Sequence, residues 1–381
     1  MADQPLSGLL VADFSRVLAA PIVSMNLADL GADVIKVERP ENGDDTRSWG
    51  PPWSASGEST YYLGLNRGKR SVALDLKKPH DLELARRLAV RSDVVVENFR
   101  AGLMDELGLG YGALSVSNPG LVYCSISGFA PQGPTSQLAG YDLLIQAMSG
   151  IMSITGQPND PPTKVGAAIT DMTAGLYATI GVLAALQQKN TTGFGQRVDV
   201  SLFDSALNAL LNQGSAYVNA DVVGSAQGNR HPSIAPYESF SASDREFILA
   251  AANDRMWLRT CAAIGRDDLA GDHRFSTNSD RRSNIDALGA ALTETFVTKP
   301  ADHWITVLRE AGVPAGPINQ IDEAFEWAAE QGLDPTVGFA GSTAHGVRSP
   351  IRLSGDAVGS ALPPPELDEH GAAIRAWLEE F

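Results

Sequence analysis

Short apolar runs alternate with longer amphipathic segments along the first 130 residues of the chain. Residues 9–14, 33–38, 71–76, 93–97 and 121–126 each read as a strand, rich in Val, Ile and Leu and bounded by polar or turn residues. Between them, 21–30 reads as a helix with Pro21 in its first turn and Gly31 at its end. Residues 81–91 read as a second, with Leu82, Leu84 and Leu88. Apolar strands alternating with helices predict an α/β fold whose parallel sheet is covered on both faces. Right-handed crossovers make such a sheet doubly wound.

Beyond that region the period changes. Residues 140–150 form an apolar helix with a polar head, and 172–188 contain no Lys, Arg, Asp or Glu, which predicts a buried helix. Asp171 stands immediately before that run, where an N-cap contributes about 1 kcal/mol. A second helical run spans 201–217, followed by a Pro- and Gly-rich segment at 224–236. Residues 237–241 and 246–251 flank a turn and predict a hairpin, with helices over 254–264 and 283–295. The reading is therefore a large domain over 1–200, a linker helix over 201–224 and a small α+β domain over 225–317. Residues 318–381 then return to the large domain.

Composition narrows the function. The 381 residues are 44% hydrophobic and 19% charged, as in globular chains, and the net charge of −16 opposes a nucleic-acid or anionic membrane partner. No signal peptide is visible, and 172–188 is too short and too interrupted by Thr and Gly to span a membrane. The two cysteines, Cys124 and Cys261, form no CxxC pair, which fits a reducing cytoplasm and excludes a disulfide framework or a cysteine-rich metal site. Thirteen of the 29 Lys and Arg lie in the first hundred residues, and none lies between Arg100 and Lys164. That clustering offers a local basic surface to a small anion.

A nicotinamide site fails on inspection. The first strand is followed by Ser15-Arg16-Val17-Leu18-Ala19-Ala20-Pro21, without the glycines that let a backbone approach a pyrophosphate. Ligands of such sheets nevertheless bind beyond the carboxyl ends of the strands. Those ends carry Arg16, Glu38-Arg39-Pro40, Glu97-Asn98-Phe99-Arg100 and Ser127-Gly128-Phe129. Arginine forks and an aromatic ring on one edge suit a phosphorylated adenine nucleotide.

With these residues in place, the chain resembles the family III CoA-transferases, also called the CaiB/BaiF family. The resemblance rests on GADVIKVERP at 31–40, NRGKRS at 66–71, ENFR at 97–100, Gly140-Tyr141-Asp142, residues 193–200 and AGVPAGP at 311–317, in that order. It implies a Rossmann-like large domain completed by the C-terminal tail, a smaller domain, and an interlocked homodimer. The implied substrates are an acyl-CoA and a carboxylic acid, with coenzyme A entering as the substrate thioester and no permanently bound cofactor or metal. It further implies that Asp171 attacks the thioester to form a mixed anhydride. Val17, Leu18, Arg39, Val72, Asn98, Phe99 and Arg100 would then line the CoA site, with Tyr141 and Asp142 near the acyl end. A helix N-terminus would keep Asp171 ionised and offer N–H groups to an oxyanion.

Departures from the family pattern refine this. Leu18 replaces the glutamine of the formyl-CoA branch, and 228–237 (GNRHPSIAPY) is not that branch's glycine-run lid. Leu138-Ala139 stand where a basic residue commonly precedes the Gly-Tyr motif. The sister activity, 2-methylacyl-CoA racemisation, would need a His-Asp pair where Tyr141-Asp142 stand, and none of the six histidines falls there. His231 lies in the segment corresponding to the lid. A non-catalytic acyl-CoA-binding protein is the alternative of another class.

Overall fold

The computed structural model describes residues 4–339, 341–354, 356–360 and 362–380. Six strands make one parallel sheet: β1 (Leu10–Asp13), β2 (Asp33–Glu38), β3 (Lys69–Ala73), β4 (Val94–Glu97), β5 (Val122–Ser127) and β6 (Arg197–Ser201). Their order is β3-β2-β1-β4-β5-β6, with parallel pairing throughout. The order reverses between β1 and β4, which opens a crevice beyond their carboxyl ends.

β6 is an addition to the sequence reading, in which this stretch only preceded a helix. Its Arg197-Val198-Asp199-Val200 pattern alternates exposed and half-buried positions, as an edge strand does. β3 begins two residues earlier than expected, at Lys69, a charged residue that is nevertheless only 1% exposed.

The covering helices are α1 (Ala19–Asp29), α2 (Pro79–Arg91), α3 (Asp142–Met148), α4 (Ile169–Thr192), α5 (Leu202–Ala209) and α6 (Asn212–Ala220). One face of the sheet packs Val11, Val96 and Ile126 against Val23 and Leu27 of α1 and Ala178 and Val182 of α4. The other face packs Ile35 and Val95 against Leu84 and Leu88 of α2 and Ile374 and Leu378 of the C-terminal helix Gly371–Glu379. Each Val, Leu or Ile among them contributes roughly 1.5–3 kcal/mol by leaving water.

Two expectations about the helices are corrected. The run over 201–217 is not one helix, because the chain breaks between α5 and α6 at Leu211, whose φ is 45°. α4 has 24 residues and is by length and composition able to cross a membrane, contrary to the estimate from 172–188. In this fold it is a core helix, burying Ala174, Gly175, Ala178, Val182 and Ala185. Gly175 permits its closest approach: a Cβ there would stand 2.7 Å from the Ala19 carbonyl oxygen. That contact sets the first turn of α4 beside the turn that follows β1.

The chain divides into two compact units. The larger comprises Met1–Met152, Lys164–Val223 and Asp334–Phe381. Its C-terminal part is tied to β3 by His370 N–H donating to the Ser71 carbonyl at 3.1 Å and Arg375 donating to the Ala73 carbonyl at 3.1 Å. The smaller comprises Ser153–Thr163 and Gly224–Leu333, so the return begins at Asp334 rather than at Ile318. It holds an antiparallel sheet of β7 (Tyr237–Ser241), β8 (Glu246–Ala250) and β9 (Ala315–Pro317). Phe240, Phe247, Trp257, Phe275, Phe296 and Trp304 fill its core.

Candidate active site

The turn after β1 opens the crevice, and it is an unusual turn. Val17 adopts φ 69°, a left-handed conformation that a β-branched residue rarely takes. Named side chains hold it there. The Val17 N–H donates to Asp44 Oδ1 at 3.3 Å, and the Arg16 N–H donates to Asn98 Oδ1 at 2.9 Å. Asn98 Nδ2 donates back to the Arg16 carbonyl at 2.8 Å. Lys36 Nζ donates to the Ser15 carbonyl at 2.9 Å and makes an ion-pair contact with Asp44 Oδ2 at 2.9 Å. Asp13 accepts from the Ser15 N–H at 2.9 Å and pairs with Lys69 at 3.1 Å.

These charges are almost wholly buried: Asp13 and Lys36 are 0% exposed, Lys69 1% and Asp44 2%. Burial disfavours ionisation of every one, and their mutual attraction answers it. Asp44 is held down at about 2, chiefly by Lys36 and the Thr46 N–H working against burial. Burial pulls Lys69 down to about 8 despite Asp13. For Lys36 the neighbouring carboxylates overcome burial and raise it. Glu38 is salt-bridged to Arg47 at 2.7 Å and accepts from Ser71 Oγ at 2.7 Å.

Asp171 lies in the first turn of α4, but it does not cap that helix. The residue preceding the helix, Ala168, offers no side-chain cap. The carboxylate of Asp142 does the work instead, 28 residues upstream: its Oδ1 accepts from the Thr170 N–H at 2.9 Å and from Thr170 Oγ1 at 2.8 Å. Its Oδ2 accepts from Gln146 Nε2 at 2.7 Å, and Gln146 Oε1 accepts from the Val165 N–H at 2.8 Å. The Asp171 carboxylate is thereby left half-buried, among no hydrogen-bond donors found in the described residues. Burial, then the nearby charge of Asp142, pushes its pKa up to about 7. This corrects the expectation of a strongly ionised aspartate. Near neutral pH it is divided between acid and anion, and the anion is a more basic nucleophile than an ordinary carboxylate.

Three clefts surround this region of the larger unit. One of about 420 Å³ is lined by Arg16, Val17, Leu18, Asn98, Phe99, Arg100, Tyr141 and Asp171, so six of the expected positions converge with the aspartate. A neighbouring cleft of about 410 Å³ shares Arg16 and Phe99 and adds Arg39, Lys77 and Lys78. Arg39 thus belongs to this outer cleft, paired with Asp45 and donating to the Gly43 carbonyl at 3.2 Å. A third, of about 490 Å³, shares Leu18 and is lined by Thr60, Tyr61, Asp142, Lys164 and the backbone of residues 166–168. Burial, with Asp171 and Asp142 adding to it, pushes the Tyr61 hydroxyl up to about 12.

Val72 stands apart from the other expected positions. It is 0% exposed inside the β3 core and lines none of these clefts. Arg16, left out of the expected contacts, is central: its guanidinium stacks 4.5 Å from the Phe99 ring centroid between two clefts. Its position in a strand-following turn was the available signal. Lys77, Lys78, Tyr61 and Lys164 were also missed, because nothing local distinguishes them from surface residues. His231 lies in the smaller unit, against the Tyr237 ring at 5.2 Å, its Nδ1 accepting from the Ser233 N–H at 3.0 Å.

Known proteins share the sequence and the fold of this chain. The family described as CoA-transferase family III matches residues 6–371. The chain is 43% identical over 384 residues to a succinate–glutarate CoA-transferase of Agrobacterium fabrum, covering 98% of this chain and 96% of that protein. It is 40% identical over 373 residues to an acetyl-CoA:oxalate CoA-transferase of Acetobacter aceti, covering 97% and 95%. The crystal structure of a CAIB/BAIF family protein from Brucella suis superposes with a TM-score of 0.88 at 44% identity, covering 99% of this chain and 100% of that one. A parallel sheet in β3-β2-β1-β4-β5-β6 order, a glycine-free turn after β1 and this whole-length similarity lead to one assignment: the chain belongs to the family III CoA-transferases and is a CoA-transferring enzyme.

Proposed function

We propose that the enzyme exchanges coenzyme A between dicarboxylic acids, with Asp171 as the acyl carrier. The observation that carries the reading is the convergence of Asp171 with the basic, aromatic mouth formed by Arg16, Asn98, Phe99 and Arg100 in one cleft. Support for the substrate class comes from the relatives named above: one is named for succinate and glutarate, the other for oxalate as acceptor from acetyl-CoA, so each handles at least one dicarboxylic acid.

The Asp171 carboxylate attacks the thioester carbonyl carbon, the C–S bond breaks, and CoA leaves as thiolate from a mixed anhydride. The thiolate attacks the aspartyl carbonyl, releasing the donor acid as carboxylate and leaving an aspartyl-CoA thioester. An acceptor carboxylate attacks that thioester, forming a new anhydride and freeing the thiolate again. Attack of the thiolate on the acceptor's acyl carbonyl yields the new acyl-CoA and restores Asp171. Water is not consumed, and no redox change occurs. In this scheme Arg16, Arg39, Lys77 and Lys78 face the phosphates, and Phe99 offers a ring to the adenine. A carboxylate with a pKa near 7 gains nucleophilicity and loses quality as a leaving group. Donors aimed at the developing oxyanion in the complex offset that loss.

The active assembly in this reading is an interlocked homodimer. Support comes from the apolar side chains that the larger unit exposes on α3, α4 and α6: Leu143, Leu144, Met148, Leu176, Ile180 and Val218. A patch of this kind marks a contact surface. Sedimentation at micromolar concentration should return twice the mass of one chain; a monomer contradicts the dimer. The two cysteines, both unpaired and buried, fit the cytoplasm.

The function is tested by incubating the protein with succinyl-, glutaryl- or acetyl-CoA and a panel of free acids. Isotopically labelled acid should enter the CoA pool at least 1,000-fold faster with the wild type than with Asp171→Ala, in the range expected for removal of a covalent nucleophile, about 4 kcal/mol or more. Full exchange by Asp171→Ala sinks the proposed role.

A further inference from the structure

The cleft shared by Leu18, Tyr61 and Asp142 presents an electrostatic problem to a dicarboxylic substrate. Its walls already include the Asp142 carboxylate, and Asp171 lies one helical turn beyond its backbone wall at 166–168. The upward shift of the Tyr61 hydroxyl reports, after burial, the negative potential of both carboxylates. When one end of a dicarboxylic acid reacts at Asp171, its other end brings a further negative charge into this neighbourhood. Like charges gathered in one cleft oppose binding unless a cation is supplied.

Lys164 is the one basic side chain that lines this cleft. Its ammonium donates to the carbonyls of Val165 at 3.3 Å and Gly166 at 3.2 Å. Among the described residues it makes no ion pair, whereas Arg39, Arg47, Arg67 and Arg100 are each matched to a carboxylate. Its backbone is not adrift. The next residue, Val165, is held by Gln146, the same side chain that fixes Asp142. The cation is therefore placed by the network that orients the first turn of α4, yet its head is exposed and exchangeable.

We propose that Lys164 binds the distal carboxylate of the dicarboxylic acyl group or acceptor, and so sets the enzyme's preference for dicarboxylic over monocarboxylic acids. The inference rests on the transferase reading above. A charge-assisted hydrogen bond in a partly enclosed cleft is strong enough to govern such a choice. Arginine, with its charge and longer reach, should substitute for it; methionine, of similar volume and no charge, should not.

The test compares two acceptors of equal chain length, glutarate and pentanoate, with one acyl-CoA donor. Lys164→Met should lower the ratio of kcat/KM for glutarate over pentanoate by about 10- to 100-fold. The loss should appear in KM for glutarate rather than in kcat. Lys164→Arg should keep the ratio within about threefold, because it retains the positive charge and N–H donors that pair with a carboxylate. A ratio unchanged in Lys164→Met, or lowered equally in both variants, overturns the proposal. Labelling of Asp171 by the donor is measured in the same samples. Wild-type labelling with no glutarate preference defeats the role of Lys164 alone, and absence of labelling and exchange defeats the transferase reading together with it.

Discussion

At the sheet edge the larger unit buries Asp13, Lys36, Asp44 and Lys69, while the smaller unit fills its centre with Phe240, Phe247, Trp257, Phe296 and Trp304. Both arrangements exclude water, by different physics. Aromatic burial is non-directional and scales with area, so it stabilises without dictating where one amide must point. Buried ion pairs lose hydration and are often no more stabilising than apolar groups of the same volume. They are, however, directional. Here their oxygens and ammonium groups meet Ser15 N, Ser15 O and Val17 N, the backbone of the left-handed turn that lines the cleft. The smaller unit has its own exception in Arg281, 0% exposed, and it too holds loop backbone, donating to the Ala235 and Phe275 carbonyls. Buried charge marks places where the chain must be held in a particular shape.

The sharpest way to break this comparison is a pair of substitutions of similar cost. Lys36→Met strips the cation from Asp44 and the Ser15 carbonyl and should destabilise by about 3–5 kcal/mol. Phe296→Ala empties part of the smaller core and should cost about 3–5 kcal/mol as well. Denaturant unfolding measures both. Assayed where each variant is folded, Lys36→Met should raise the KM for acyl-CoA severalfold and Phe296→Ala should leave it nearly unchanged. Equal shifts in the two would show that the buried charges have no positional role.

A smaller effect sharpens the same contrast in the titration of the site. Only the anion of Asp171 attacks, so kcat/KM for acyl-CoA should rise as pH passes upward through about 7. Asp142 is a like charge that raises the Asp171 pKa, after burial. Asp142→Asn removes that charge and should carry the acid limb to lower pH, by up to about one unit. A limb that moves to higher pH would contradict the stated origin of the shift.

Much of the fold was legible because β1, β2, β4 and β5 are compact runs of Val, Ile and Leu, whose pattern survives without tertiary information. β3 was misplaced by two residues for a physical reason: Lys69 is an interior position occupied by a charged group, which a hydrophobic pattern scores as surface. Asp171 was legible as a lone acid at a helix start. Its surroundings were not, since the true cap comes from Asp142 and no local spacing connects the two. Because Asp142 supplies the cap, the Asp171 carboxylate is left without a hydrogen-bond partner among the described residues.

The account turns on Asp171 becoming acylated, and that can be read directly. The wild-type protein is mixed with succinyl-CoA, quenched with hydroxylamine, digested and mapped by mass spectrometry. An activated aspartyl group, as anhydride or thioester, is converted to a hydroxamate on the peptide that contains Asp171. The account predicts that hydroxamate at Asp171, dependent on acyl-CoA and missing at Asp142. A hydroxamate at Asp142 instead, or none at Asp171 while CoA exchange proceeds, would contradict it.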